Sequence, residues 1–428
     1  MSTVNRRHFL SASAATAGTL SAMTAVGAAT QPNERINMAV MGVNGRGKAL
    51  LRGFSRFPNV RVTHICEVDN RVIPAALRQL PDDYARPQVE ADIRRIVENQ
   101  DIDALVIAAP DHWHALATVW ACQNGKHVYV EKPVSHNIIE GRRMVQAARR
   151  HNRVVQVGTQ RRSSNLFRSA KELVETGRLG KIPFVRAWIA GNRPALPRAQ
   201  NTEPPQGLNF NLWLGPAPQR PYNSNLVHYN WHWFWDFGTG EIGNNGIHAL
   251  DMVRGLLPDI GHPQRISSGG GVNFYEDGRE VPDTHIATFD VAETTVVWEH
   301  RFWSRRGCED APWGLSLYGD NGVLIFTGRG WRVEDARNGV EGSDTAEDME
   351  RPHQQNFLDC IRNSRRPNAD IEEGHLSTRL CHLGNIAYRT QKTLRFNARE
   401  ENFGTDREAN ALLGRTYRQG FELPRIGG

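Results

Sequence analysis

Past residue 30 the chain has no apolar run able to cross a bilayer, which takes ~20 mostly apolar residues, so no membrane span is expected. Cysteine is sparse: five residues, Cys66, Cys122, Cys308, Cys360 and Cys381, with no Cys-x-x-Cys and no zinc-ligand spacing. That excludes a disulfide framework and a structural zinc module. Lysine-rich blocks are also missing. The formal charge of +6 is spread along the chain, with arginines alternating with acids, so no nucleic-acid partner is expected. No internal repeat is visible. What remains, 39% hydrophobic and 23% charged, is the composition of a globular protein.

The N-terminus reads as an address. Asn5-Arg6-Arg7-His8-Phe9-Leu10 fits a twin-arginine (Tat) export signal. A mildly apolar stretch follows and ends in Gly27-Ala28-Ala29, small residues suited to a signal peptidase. Residues 1–30 are therefore set apart as a signal peptide, and an exported or periplasmic location, with the Tat machinery as a partner, is expected. The remainder, roughly 400 residues, is long enough for two domains. We place the first at 34–160 and the second at 161–428.

The first segment alternates strand and helix. Ile36 to Met41 is a short apolar run, followed by Gly42-Val43-Asn44-Gly45-Arg46-Gly47 and a helix-like stretch. A second apolar run, Val60 to Ile65, leads to Glu67, 20 residues after Gly47. Such a glycine turn lets the backbone approach a pyrophosphate at a helix N-terminus, and an acid at the end of the second strand accepts bonds from ribose hydroxyls. Asn44 stands where the usual G-x-G-x-x-G pattern has glycine; asparagine tolerates the turn. Gly42, Asn44, Gly45, Arg46, Gly47 and Glu67 are the expected dinucleotide contacts. Glu67 opposes a 2′-phosphate and favours NAD, whereas Arg46 and Arg71 leave NADP open. Asp103 to Ala109 and His127 to Val130 are nearly unbroken apolar runs, as in a central parallel strand. Ligands bind beyond the carboxyl ends of such strands. There stand Pro110-Asp111-His112-Trp113-His114, Glu131-Lys132-Pro133 and Gly158-Thr159-Gln160-Arg161-Arg162.

Together, AAPDHWH, VYVEKPVSHN and VVQVGTQRRS resemble the glucose–fructose oxidoreductase/inositol dehydrogenase (Gfo/Idh/MocA) family over essentially the whole chain after the signal. The resemblance implies an α/β chain: an N-terminal Rossmann domain, then an α/β domain with a large open, mostly antiparallel sheet through which many members oligomerise. It also implies NAD or NADP chemistry on sugars and their derivatives. It makes Lys132 the active-site lysine and sets Pro110, His114 and Glu131 beside the cofactor. A lysine before proline is held extended and supplies positive charge where an alkoxide forms. A dimer or tetramer is expected.

In the second segment, Gly238 to Leu257 reads as a turn and a helix carrying His248. The family usually has aspartate four residues before this histidine; here Asn244 stands there. An amide accepts no proton at neutral pH, so His248, assisted by Lys132, is assigned the general acid/base role. Glu241 is a possible replacement for the missing carboxylate. Asp251, three residues beyond His248, shares its helix face. In His228-Tyr229-Asn230-Trp231-His232-Trp233-Phe234-Trp235-Asp236, aromatic faces can stack on sugar rings while polar groups bond hydroxyls; the same pattern also fits an aromatic core. Gln160, Arg161, Tyr229, His232, Asn244 and Asp251 complete the expected substrate set, with Arg161 and Arg162 able to clamp a carboxylate. Four potential ligands, His228, His232, His248 and Asp251, have no recognised metal spacing, and no metal is expected. From Ser267 to Phe326 several short alternating runs read as strands. Two last helices, near Gln354–Asn363 and Gly374–Thr390, should pack back on the first domain. Val340–Arg351 reads as a surface loop.

An exported nicotinamide enzyme cannot readily exchange cofactor, so the cofactor should stay bound. The leading expectation is an NAD(P)-dependent sugar oxidoreductase holding its cofactor. A redox-neutral NAD-dependent glycoside hydrolase, lyase or epimerase is the alternative, and a non-catalytic carbohydrate-binding Rossmann protein the second.

Overall fold

The computed structural model describes residues 35–191, 193–335, 340–342 and 348–426. Residues 1–30, expected from the sequence to be an export signal, lie outside the described residues.

The first sheet is built from β1 (Ile36–Met41), β2 (Val60–Cys66), β3 (Gln88–Glu90), β4 (Ala104–Ile107), β5 (His127–Val130) and β6 (Val155–Val157). All pairings are parallel and the order is β3-β2-β1-β4-β5-β6. Its central strands are largely buried, β4 at every residue, because helices cover both faces of a doubly wound sheet. The connecting helices are α1 (Arg46–Phe54), α2 (Ile73–Leu77), α3 (Ile93–Glu98), α4 (Asp111–Gln123) and α5 (Ile138–Arg150). Asn137 caps α5 by accepting from the Glu140 amide, as asparagine does at helix starts. The strand order reverses between β1 and β4, and a crevice opens at that switch point.

A second sheet of nine strands runs β14-β13-β12-β11-β7-β10-β9-β8-β15. Its members are β7 (Phe184–Ala190), β8 (Arg265–Gly271), β9 (Thr284–Val291), β10 (Thr294–Arg301), β11 (Trp313–Tyr318), β12 (Gly322–Thr327), β13 (Gly330–Asp335), β14 (Val340–Gly342) and β15 (Leu394–Arg395). Every pair is antiparallel except β7 with β10. In β9 the odd positions turn inward and the even ones outward, the period of a sheet with one covered face. Strand β14 lies within the span read from sequence as a loop.

Remaining helices are α6 (Asn165–Glu175), α7 (Phe210–Leu214), α8 (Ile247–Leu256), α9 (Glu350–Asn363), α10 (Ile371–Thr390) and α11 (Arg407–Ala411). Phe357 of α9 sets its ring edge-on to Phe54 and Tyr129, in the core of the first sheet. Helix α10 lies against α5 and against α8. Between β7 and α8 a long, loop-rich segment builds its own aromatic core from Phe210, Trp213, Trp231, Trp233, Phe234 and Phe237. It binds the end of β2: the Asn70 amide donates to the Gly207 carbonyl and the Asn209 amide to the Val68 carbonyl. Second-sheet loops thus come to stand over the crevice of the first sheet. Among the described residues no helix is long and apolar enough to cross a membrane.

Candidate active site

A cavity of about 530 Å³ fills that crevice. Its floor is the glycine turn after β1. Gly45 has a positive φ of 53°, and a Cβ added there would meet nothing within 4 Å, so this turn leaves an open cradle. Gly47 is tight instead: its Cβ would fall 1.7 Å from the Gly42 carbonyl oxygen. No side chain caps α1, whose N-terminal N–H groups suit an anion. Gly42, Asn44, Gly45 and Arg46 line the cavity; Gly47 shapes the turn from behind.

Glu67 stands at the end of β2, where its carboxylate accepts from the Val43 amide at 2.8 Å and the Asp69 amide at 3.0 Å. Burial raises its pKa, against the pull of those donors. Beside it Asp69 is fully buried, holds Arg71 through two oxygens and meets His228 Nε2 at 2.8 Å. Burial pushes the Asp69 carboxyl up, but the Arg71 bonds outweigh it and leave it lowered. Arg46 is engaged as well: its Nε donates to Glu131 at 2.6 Å, and its two terminal nitrogens grip Glu350 at 2.9 and 2.8 Å. The two arginines expected to favour NADP are both paired with carboxylates.

Lys132 projects from the end of β5, and the Lys132–Pro133 peptide is cis. Its Nζ donates to the Asn244 backbone carbonyl at 2.7 Å and to Asn244 Oδ1 at 3.3 Å. Burial lowers the Lys132 pKa, opposed by Glu131, Asp111 and Glu241. Asn244 is oriented in turn by its amide, which donates to Glu241 at 3.2 Å. Glu241 also takes bonds from Arg193 and Asn245 and does not line the cavity. The sequence reading offered Glu241 as a replacement carboxylate; its oxygens are committed to the network that aims Asn244 at Lys132.

His248 stands in the first turn of α8 and lines the cavity with Lys132 and Asn244. Its Nδ1 is buried without a hydrogen-bond partner among the described residues. Burial, with Lys132, Arg161 and Arg46 nearby, holds its pKa well below the ordinary value, so the ring is a neutral imidazole. Pro110 and His114 line the cavity as well. His114 lies between the Pro133 and Ala109 carbonyls, 2.7 and 2.8 Å from its two nitrogens. Its role is to join two strand ends.

Of the expected substrate residues, Gln160, Tyr229, His232 and Asn244 line the cavity. Tyr229 is 51% exposed, and its hydroxyl accepts from Arg193 at 3.0 Å. His232 stacks on Trp231 with ring centres 3.6 Å apart, and burial pushes its pKa down to about 3. Trp233 and Phe234 are core residues, so the aromatic run is part lining and part core. Asp251 requires a correction. It is buried, bonded to Arg162 at 2.8 Å and to Ser377 at 2.7 Å, and lies off the cavity lining; the helical turn that separates it from His248 points it toward Arg162. That pairing also removes Arg162 as an anion clamp. The Arg161 guanidinium lies 4.3 Å above the Trp313 ring and is likewise off the lining. His228, His232 and Asp251 bond Asp69, the Tyr229 carbonyl and Arg162 respectively, and no cluster of three or more acidic, His or Cys ligands occurs among the described residues.

Sequence reading missed Asp111 as a site residue. It lines the cavity at the first turn of α4, only 1% exposed. It also missed Asp69 and Glu350, which fix the arginines. An acid in a first helical turn ordinarily reads as a response to the helix dipole; only burial sets Asp111 apart.

Two models of one family match the chain. "Oxidoreductase family, NAD-binding Rossmann fold" matches residues 36–159, and "Oxidoreductase family, C-terminal alpha/beta domain" matches 190–269 and 335–423. A 1-carboxy-3-chloro-3,4-dihydroxycyclohexa-1,5-diene dehydrogenase of Comamonas testosteroni is 31% identical over 50% of this chain and 46% of its own length. A glycosyl hydrolase family 109 protein of Saccharopolyspora erythraea is 28% identical over 37% of this chain and 36% of its own. The chain thus spans about half or less of the curated relatives' length. A solved structure of levoglucosan dehydrogenase with NADH and levoglucosan superposes with a TM-score of 0.66 at 18% identity, covering 84% of this chain and 99% of that one.

Proposed function

Starting from a chain that belongs to the Gfo/Idh/MocA oxidoreductase family, we propose that it oxidises or reduces a sugar or sugar derivative with a tightly held NAD(H). The observation that carries this reading is the convergence of Lys132, Asn244 and His248 on one wall of the cavity whose floor is the glycine cradle. The residues fit the cofactor: the open side of Gly45 and the uncapped start of α1 would take the pyrophosphate, and Glu67 the ribose hydroxyls. Nicotinamide, when bound, exchanges a hydride with a carbinol carbon. Glu67 and Asp69 oppose a 2′-phosphate, and Arg46 and Arg71 are already paired, which supports NAD over NADP.

The chain's own part is to position the carbinol and handle its proton. Lys132, held by Asn244, offers its charge to an oxygen that becomes negative as the O–H bond breaks. His248, a neutral ring lining the same cavity, can hydrogen-bond the substrate and help orient it. Tyr229, Trp231 and His232 supply ring faces for a pyranose, and Gln160 and Asn244 supply hydrogen bonds. The export signal at 1–30 gives a physical reason for cofactor retention: a folded protein leaves with its nucleotide inside, and a periplasm holds little to replace it. The loops that tie residues 207–209 to the end of β2 would slow release.

A panel of free sugars and levoglucosan, incubated with a stoichiometric amount of NAD-loaded protein and read by absorbance of the reduced cofactor, bound or free, tests this. Oxidation of at least one, lost in Lys132→Met, is expected; no reduction with any sugar counts against it. One observation favours a redox-neutral second reading, the similarity to a protein named as a glycosyl hydrolase of family 109. Cleavage of an aryl glycoside without net reduction of NAD would select it.

A further inference from the structure

Four carboxylates line the cavity: Glu67, Asp111, Glu131 and Glu350. Three are committed. Glu67 holds the Val43 and Asp69 amides, and Glu131 and Glu350 share the charge of Arg46. Asp111 has no cation within salt-bridge distance among the described residues. It accepts the Thr239 hydroxyl at 3.0 Å on Oδ2. It stands one turn before His114 on α4 and shares the cavity wall with Lys132. At position 244, on the other side of Lys132, is an amide, which cannot take a proton, and Glu241 behind it is saturated.

We propose that Asp111 is the proton acceptor of the site, taking through Lys132 the proton that the substrate hydroxyl loses. This rests on the oxidoreductase reading above. The bookkeeping is closed. One substrate O–H bond breaks and its electron pair remains to form the carbonyl. Lys132 first releases one ammonium proton, and the electron pair so freed takes the substrate proton, so the ammonium carries the same number before and after. The released proton crosses cavity water and forms an O–H bond on Asp111. The hydride leaving carbon is taken up by the nicotinamide named above. The ammonium is thereby restored at the end of the transfer with the net proton on Asp111, which two groups sharing the task permit and a lone lysine does not.

Supporting this, burial raises the Asp111 pKa to about 8, against the pull of Lys132 and Thr239 and with a further push from Glu140 of α5. On its own helix, burial pushes the His112 pKa down to about 3 and lowers that of His114. A carboxylate with proton affinity near neutrality is matched to general-base work.

The test uses the full chain and Asp111→Asn, which keeps the shape and an oxygen for Thr239. Infrared titration without substrate should show a buried protonated carboxyl that ionises near pH 8, disappears in Asp111→Asn, and ionises at higher pH in Lys132→Met, where a nearby positive charge is gone. With NAD and the sugar panel, Asp111→Asn should lose about 100-fold in kcat/KM and lose the rise of kcat/KM through that pH range, while NADH affinity read by fluorescence stays within about twofold. A carboxyl band unchanged in Asp111→Asn, or an Asp111→Asn enzyme with wild-type kcat/KM and an unmoved pH profile, overturns the assignment. A wild-type protein that oxidises none of the panel sinks the underlying reading instead, and an active wild type matched by Asp111→Asn sinks this inference alone.

Discussion

Lys132 Nζ donates to the backbone oxygen of Asn244 at 2.7 Å and to its side-chain oxygen at 3.3 Å. The two residues lie 112 positions apart in sequence, one at a strand end of the first sheet and the other in the turn before α8. That contact joins two sides of the cavity, and on the function proposed above removing the donor should stop the chemistry without emptying the glycine cradle. Lys132→Met should lower kcat/KM by about 1,000-fold, while NADH binding, measured by fluorescence titration, changes by less than about threefold.

Replacing Asn244 by aspartate should harm the protein, although a carboxylate there looks chemically attractive. The Asn244 amide donates to Glu241 at 3.2 Å, and an aspartate would set one carboxylate against another in a buried pocket, with Lys132 offsetting part of the repulsion. A loss of roughly 1–3 kcal/mol is expected at pH 8. It should shrink toward pH 5 as one carboxyl takes a proton. Urea denaturation at the two pH values measures it.

Cofactor choice should depend on Asp69. This residue holds both Arg71 and His228, so Asp69→Ala frees two potential cations beside the ribose and removes a charge that repels phosphate. The NADP-to-NAD affinity ratio should rise by about tenfold, read from paired binding titrations.

Acid stability should be sensitive to Glu401. Its carboxylate accepts from Arg142, Arg379 and His375. Burial pushes its pKa up, but His375 and Arg142 outweigh burial and hold it well below the ordinary value. A depressed carboxylate adds stability above its unfolded pKa and loses it as pH falls through the carboxylate range and below. Glu401→Gln should therefore cost roughly 3 kcal/mol at pH 7, and the gap from wild type should begin to narrow as the pH falls below the ordinary glutamate range, without closing by pH 3. Chemical denaturation across that range would show it.

Much of this was legible in the sequence because it is local. The glycine turn, the apolar runs of β1, β4 and β5, and Glu131-Lys132-Pro133 at a strand end each announce themselves within ten residues. Period and turn chemistry dictate them whatever the rest of the chain does. The arrangement of charge was not legible. Arg46 reads as a phosphate ligand until Glu350, 304 residues away, is seen to hold it. Asp251 reads as a partner of His248 until Arg162 claims it. Asp111 was passed over because an acid at a helix start is commonplace, and only its burial beneath the loops of the second sheet makes it chemically distinct. Long-range pairings come from topology, which local patterns do not encode.

The central claim is that this chain holds NAD(H) and carries it through turnover. The most direct measurement is to purify the protein without added nucleotide, denature it with acid, and identify the released compound by mass and absorbance. The account predicts close to one NAD(H) per chain. An empty protein, or one that releases NADP, would contradict it.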